Sequence, residues 1–373
     1  MIPAAAAHLP ASVETHPGET GKNNEDRYSL TAYVLEKDAT QVTLAVVADG
    51  IGGHAAGEVA SQLAIDTFVG RVSSYDEGEP VEHLRGAVIE AGRAVAQAAL
   101  ESPEREGMGS TLSAAWVIGQ RLYTVTIGDS RIYLLRGGRL IQTSIDHTWV
   151  QEAIDHKIIP PEAARNHPNA HVLRRHLGGR LEPQPDLRLR LAPSESDQIS
   201  EDHQGLLLQP GDQILICTDG LTELVEDYEI AGALRKRSPQ AAIHYLVDLA
   251  RSRGGFDNIT ALVLVVPGRP SGGSCAAWLR LLVAAGISGL LLIVFVLAAG
   301  AGAWWFGIGP FQRLTPTAPT PSATPLPSWT LGPDDTHTPT VTPTHSPTPT
   351  PTSTPVPSAT PSLSPEAPTT SPA

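Results

Sequence analysis

Two apolar runs in this chain end in the same dipeptide. Residues 44–48 run into Asp49-Gly50, and residues 213–218 run into Asp219-Gly220. A third acidic position, Asp257-Asn258, stands just before the apolar run 259–266. A short apolar run bounded by such a signal reads as a buried strand, and glycine after the carboxylate lets the backbone turn sharply. The chain is thereby constrained to bring strand ends that are distant in sequence to one place. Carboxylates presented from separate strand mouths suit a shared metal site built on oxygen ligands.

The rest of the chain is not uniform. Residues 1–268 have ordinary globular composition, 281–306 are almost continuously apolar without a charge, and from Leu314 onward Pro, Thr and Ser dominate with no Lys or Arg. The formal net charge is −13, of which the residues beyond 270 carry −1. Such an acidic globular part excludes nucleic acid as a partner. The only two cysteines, Cys217 and Cys275, make neither a disulfide framework nor a zinc spacing. Met1 to Pro10 lack the charged start and long apolar core of a signal peptide.

The segment 281–306 is long enough to cross a hydrocarbon core of about 30 Å. Trp278 and Trp304-Trp305 flank it, where interfacial aromatics belong. Arginines before the segment outnumber those after it, which puts the globular part in the cytoplasm and the tail outside the cell membrane. The expected division is thus a globular domain over 1–268, a juxtamembrane linker over 269–280, a transmembrane helix over 281–306 and a disordered tail over 307–373. Thr-Pro and Ser-Pro repeats make the tail extended and partly polyproline II. It reads as a stalk, with a ligand-sensing role as the alternative.

Within 1–268, strands are expected at 43–48, 111–117, 122–127, 131–135, 213–218 and 260–266. Gly137-Gly138 reads as a hairpin turn. Helices are expected at about 55–72 and 81–100, and a later one begins at the N-cap Ser238 with Pro239 in its first turn. Strands, then two helices, then strands fit a layered α+β fold. The stretch 156–179 reads as a surface flap suited to substrate contacts.

Five aspartates carry the chemistry: Asp26, Asp49, Asp129, Asp219 and Asp257. Ligation by carboxylates without paired His or Cys favours Mg²⁺ or Mn²⁺ over zinc. The motifs Asn24-Glu25-Asp26, Asp49-Gly50-Ile51-Gly52-Gly53-His54 with Gly57-Glu58, Gly107-Met108-Gly109-Ser110-Thr111, Gly128-Asp129-Ser130-Arg131, Asp219-Gly220-Leu221 and Asp257-Asn258-Ile259-Thr260 occur in this order. Together, over about residues 8–267, they resemble the metal-dependent serine/threonine protein phosphatases of the PPM or type 2C family, in its bacterial form.

The resemblance implies a four-layer α-β-β-α sandwich of two antiparallel sheets flanked by helix pairs, here with a C-terminal transmembrane helix and a disordered tail. It implies hydrolysis of phosphoserine and phosphothreonine on proteins by a water activated between two Mn²⁺ or Mg²⁺ ions. Asp49 would bridge the ions, with the Gly50 carbonyl, Asp219 and Asp257 completing the ligands and Asp26 acting through water. Asp49, Asp219 and Asp257 are then the catalytic residues, Asp129 would help a third, weaker metal, and Asn258 and Ser130 would support the ligands from behind. Partners would be phosphorylated proteins, among them Ser/Thr kinases and their substrates.

Two positions depart from the family pattern. The arginine usual five residues before the first aspartate is Gly21 here, leaving Lys22 to meet phosphate as a point charge without a fork. Ile51 stands where animal members carry a histidine thought to protonate the leaving alcohol. His54, beside a helix start, reads as a cap or surface residue rather than as that acid. The alternative functions are a pseudophosphatase that binds without turnover, and a surface adhesin or sensor in which the tail matters. Neither cysteine has the spacing to arginine that a cysteine phosphatase needs.

Overall fold

The computed structural model describes residues 1–52, 55–165 and 167–268. The chain separates into two compact units, Met1–Ile293 and Val294–Ala373, and every described residue belongs to the first. In chain order its strands are β1 (Ile2–Pro3), β2 (Ala11–His16), β3 (Arg27–Val34), β4 (Gln41–Ala48), β5 (Gly50–Ile51), β6 (Gly109–Ser110), β7 (Leu112–Ile118), β8 (Arg121–Ile127), β9 (Arg131–Arg136), β10 (Arg139–Gln142), β11 (Leu206–Leu207), β12 (Gln213–Cys217) and β13 (Ile259–Val265). The helices are α1 (Ala55–Ser73), α2 (Pro80–Leu100), α3 (Trp149–Asp155), α4 (Asp197–Asp202), α5 (Asp219–Thr222), α6 (Asp227–Lys236) and α7 (Pro239–Ser252).

One sheet has the order β1-β3-β4-β7-β8-β11 and the other β10-β9-β12-β13-β2, with β5 and β6 forming a separate ribbon. All pairings are antiparallel. Strand β4 shows why its apolar run is unbroken. Leu44, Val46 and Ala48 share a core with Phe68 and Leu84 of α1 and α2, while Ala45 and Val47 share another with Ile132, Ile216 and Leu262 of the second sheet. Side chains alternate across a strand, so a strand buried on both faces has no polar phase. On its far face the second sheet packs Leu215, Cys217 and Val263 against Ile230, Leu246 and Val247 of α6 and α7.

Local chemistry agrees with these elements. Gly137 and Gly138 join β9 to β10 with φ of +57° and +84°, the left-handed pair that matches hairpin twist. Ser238 caps α7, its Oγ accepting the Ala241 N–H at 3.4 Å, and Pro239 occupies the first turn.

The C-terminal part of the expected fold has to be corrected. Among the described residues no helix is long and apolar enough to cross a membrane. The longest, α2, has 21 residues but carries Glu82, Arg85, Glu90 and Arg93, and buries one stripe against the sheet. What the structure supports is an α+β domain of two antiparallel sheets with helices, without a membrane-spanning helix. The expectations for 269–280, 281–306 and 307–373 fall outside the described residues, as does His54.

Strand register sets the position of every aspartate. In the first sheet Arg27 pairs with Ala48, so Asp26 and Asp49 emerge side by side. In the second, Cys217 pairs with Arg131 on one side and Ala261 on the other. Asp129, Asp219 and Asp257 therefore leave that sheet at a common end. Five carboxylates spread over more than two hundred residues of chain are gathered by hydrogen-bonded ladders within each sheet and by the hydrophobic core that packs the two sheets together.

Candidate active site

Asp26 is buried, 2% exposed. Its Oδ2 accepts from the Thr218 hydroxyl at 2.9 Å, and that hydroxyl accepts the Thr260 N–H at 3.0 Å. Its Oδ1 is buried with no hydrogen-bond partner among the described residues. Burial, opposed by its hydroxyl partners and reinforced by the Asp257 charge, pushes the carboxyl up to about 7. Asp219, at the head of α5, likewise has a buried Oδ1 without a partner. Burial first, then the charges of Asp129, Glu223, Asp257 and Asp26, hold it well above the usual carboxylate range. Asp49 is raised in the same way by burial and by Asp26, Asp219, Asp129 and Asp257. The five aspartates thus feel one another as charges.

Asp49 is held by its backbone. Its N–H donates to Thr111 Oγ1 at 2.9 Å, and its carbonyl accepts from Thr111 N–H at 2.8 Å and Ser110 Oγ at 3.0 Å. Thr111 Oγ1 in turn meets Ser130 Oγ at 2.8 Å, so Ser130 steadies Asp49 through one hydroxyl. Gly50 follows in the β5–β6 ribbon, where a Cβ would lie 2.2 Å from the Gly57 carbonyl oxygen. Only glycine allows α1 to approach this closely.

Asp129 is 8% exposed, between β8 and β9. Burial and Asp146 raise it to about 7, while Arg131 opposes them. The loop before it is fixed from behind. The Gly128 N–H donates to His147 Nδ1 at 3.0 Å, which leaves the imidazole proton on Nε2 to donate to Asp186 Oδ2 at 3.0 Å. Burial would raise Asp186, but hydrogen bonds from His147 and Arg188 overrule it and hold that carboxylate below the usual range.

Asp257 is exposed, and its Oδ1 accepts the Asn258 N–H at 2.9 Å. The Asn258 side chain is buried and clamps the opposite loop. It accepts the Glu25 N–H at 2.6 Å and donates to the carbonyls of Pro17 at 3.0 Å and Asn23 at 3.1 Å. Asn258→Ala leaves three backbone groups without these partners. The expected cost is about 3 kcal/mol, a fall in melting temperature of roughly 10 °C for a domain of this size. Thermal unfolding checks this, and an unchanged midpoint would remove the clamp from the account.

Lys22 is exposed, with no ion pair among the described residues. Gly21 has φ of +75° and open space around its missing Cβ, so backbone conformation rather than crowding favours glycine there.

Several site residues carried no clear sequence signal. His171 Nδ1 lies 2.5 Å from Glu223 Oε1. His171, Asp219 and Glu223 bring three potential ligand atoms within 4.8 Å of one another, a closer trio than the aspartates themselves form. Glu223 could have been found one helical turn after Asp219. His171 comes from the flap, with no spacing to reveal it. Arg131 forks onto Asp146, Nη2 to Oδ2 at 2.7 Å and Nε to both oxygens at 3.0–3.1 Å. A cavity of about 410 Å³ lies over this wall, lined by Asp129, Arg131, Arg165, His171, Asp219 and Glu223 among others. Cys217 is buried and its thiol is pushed far up by burial, which makes it inert as a nucleophile.

A two-sheet α+β domain with partnerless buried carboxylate oxygens at its strand ends defines a site fitted to hard cations. Comparison with known proteins gives the family. The model described as "Protein phosphatase 2C" matches residues 16–244. The serine/threonine protein phosphatase PstP of Mycobacterium tuberculosis is 40% identical over 241 residues, covering 65% of this chain and 42% of that protein. The match therefore spans less than half of this relative's length. The serine/threonine phosphatase stp of Listeria monocytogenes is 32% identical over 259 residues, 68% of this chain and 94% of the relative. A crystal structure of a PstP catalytic domain in complex with two manganese ions superposes with a TM-score of 0.55 at 36% identity, over 69% of this chain and 98% of that one. The chain belongs to the protein phosphatase 2C family.

Proposed function

We propose that this chain is a cation-dependent phosphatase that hydrolyses phosphoserine and phosphothreonine on proteins and so opposes Ser/Thr kinases. The observation that carries the reading is the pair of buried carboxylate oxygens, Asp26 Oδ1 and Asp219 Oδ1, that no described group satisfies. Such atoms are costly unless a ligand meets them. Support comes also from the related PstP catalytic domain described with two manganese ions. Mn²⁺ or Mg²⁺ is the fitting ion, because the donors are carboxylates and a carbonyl.

Asp49, the Gly50 carbonyl, Asp219 and Asp257 would hold two ions, with Asp26 behind them and Asp129 at a third position. Bound there, the ions would lower the pKa of a water and draw on the phosphoryl oxygens. The protein supplies the rest. Thr218 and Thr111 fix Asp26 and Asp49, the Asn258 clamp closes the loop around them, and the cavity wall beneath Arg131 orients the phosphorylated side chain. Lys22 would add a positive charge toward phosphate from its exposed position. Against a binding module without turnover stand the five intact aspartates.

The test is hydrolysis of a phosphothreonine peptide by the full chain. Turnover is expected with Mn²⁺, to be lost on chelation and to return on adding the ion. A folded protein that binds Mn²⁺ but releases no phosphate would leave only the binding-module reading.

A further inference from the structure

A second cavity, of about 250 Å³, lies beside the first and shares Gln151 of α3 with it. Its lining includes Arg139, Gln142, Ser144, Gln151 and Arg190, and no aspartate or glutamate. In an acidic chain with net charge −13, a basic cavity without a carboxylate is out of character. The other arginines near the site are spent on acids: Arg131 on Asp146, Arg136 on Asp212, Arg188 on Asp186. No described side chain pairs with Arg139 or Arg190. The Arg190 Nε–H is buried and has no acceptor among the described residues.

A guanidinium keeps its proton throughout the accessible pH range and presents planar donors. Arg190 lines the cavity with a guanidinium that no described carboxylate neutralises. The fork matches two oxygens of a phosphoryl group. Ser144 adds a hydroxyl, whose oxygen already accepts the Ile132 N–H at 2.9 Å and whose proton is free to donate. The volume admits a phosphoryl group with a few carbon atoms and is too small for a folded partner.

We propose that the cavity between β10, α3 and Arg190 is an anion subsite that takes a phosphoryl group. It is separate from the aspartate site but joined to its wall. Gln142 Nε2 donates to Asp146 Oδ1 at 2.8 Å, and Asp146 holds Arg131. The phosphoryl group has two possible sources, inorganic phosphate or a second phosphorylated residue on the substrate. The second source rests on the phosphatase reading above, whereas the binding does not.

The experiment is calorimetric titration of the full chain with inorganic phosphate in the presence of chelator, so that no ion at the aspartates contributes. Saturable binding is expected. Arg190→Gln with Arg139→Gln should weaken it about tenfold or more, Arg190→Lys less, because lysine keeps the charge but loses the fork. Asp219→Asn should leave it intact. Absence of binding, or equal binding by the wild type and the doubly substituted chain, would overturn the proposal. The sources are separated by steady-state kinetics with Mn²⁺. If a second phosphorylated residue is the ligand, a doubly phosphorylated peptide has a lower KM than a singly phosphorylated one. That advantage disappears in the doubly substituted chain at unchanged kcat. If both peptides behave alike, the calorimetric result assigns the subsite to inorganic phosphate. Hydrolysis of p-nitrophenyl phosphate in the same samples reports the catalytic reading separately, so either one can fail alone.

Discussion

Asp219→Asn is expected to reduce Mn²⁺-dependent turnover about 10³-fold or more, the consequence of losing several kcal/mol of charge stabilisation from one ligand position. The same substitution is expected to raise the melting temperature of the chelated protein. The two effects have one cause. Burial first, and then the charges of Asp129, Glu223, Asp257 and Asp26, hold the Asp219 carboxyl well above the usual range. At neutral pH without a cation the unfolded chain ionises this carboxyl freely while the fold resists its ionisation, which opposes folding, and asparagine removes that penalty while filling the same space. With a cation the charge is the useful part, and a neutral amide cannot replace it. A residue placed merely for stability behaves oppositely: its loss lowers the melting temperature and spares turnover in what remains folded. Circular dichroism melting in chelator, beside phosphate release with Mn²⁺, separates the cases. Turnover within tenfold of wild type would sink the assignment.

The site was legible in the sequence where a strand and its terminus lie in one local run. The apolar stretches before Asp49 and Asp219 read correctly as buried strands because both faces of β4 and β12 meet hydrophobic cores. Strand β2, Ala-Ser-Val-Glu-Thr-His, was missed because it lies at the edge of its sheet and carries polar side chains to solvent. Strand β3 lies between β1 and β4, and its alternation of Arg27, Ser29 and Thr31 with Tyr28, Leu30 and Ala32 is the period of a half-buried strand, a signal that the search for unbroken apolar runs passes over. The supports of the site were illegible for a different reason. Thr218 meets Asp26 across 192 residues of sequence and Asn258 meets Glu25 across 233, and no local pattern records such a pairing. The Arg131–Asp146 fork and the buried His147–Asp186 pair exist only once β9 and the following loop are folded against each other. The membrane helix was inferred from hydropathy over residues that the described domain does not include, so nothing in the two-sheet packing bears it out.

Acidity should act on this fold in a direction that a cation reverses. Burial lifts Asp26 and Asp129 to about 7, against 3.8 for a free aspartate. An acid whose folded pKa exceeds its unfolded value binds its proton more tightly when folded. Its contribution to stability is fully present below 3.8 and is lost as pH rises through about 7. One unit of pKa corresponds to about 1.4 kcal/mol, so either carboxylate alone can remove about 4 kcal/mol by pH 8, or roughly 10 °C in melting temperature. Asp186 is shifted the other way, but its contribution is lost only at pH values below this window. The chelated chain should therefore melt at a lower temperature at pH 8 than at pH 5. Mn²⁺ acts where the protons leave, so the increment it adds should grow over the same interval, with protons released on binding near pH 6. The increment can be read from melting curves with and without Mn²⁺ at a series of pH values, and the protons from calorimetry in buffers of different ionisation enthalpy. An increment that is equal at pH 5 and pH 8, with no proton release, would mean that the ion binds somewhere other than among these carboxylates.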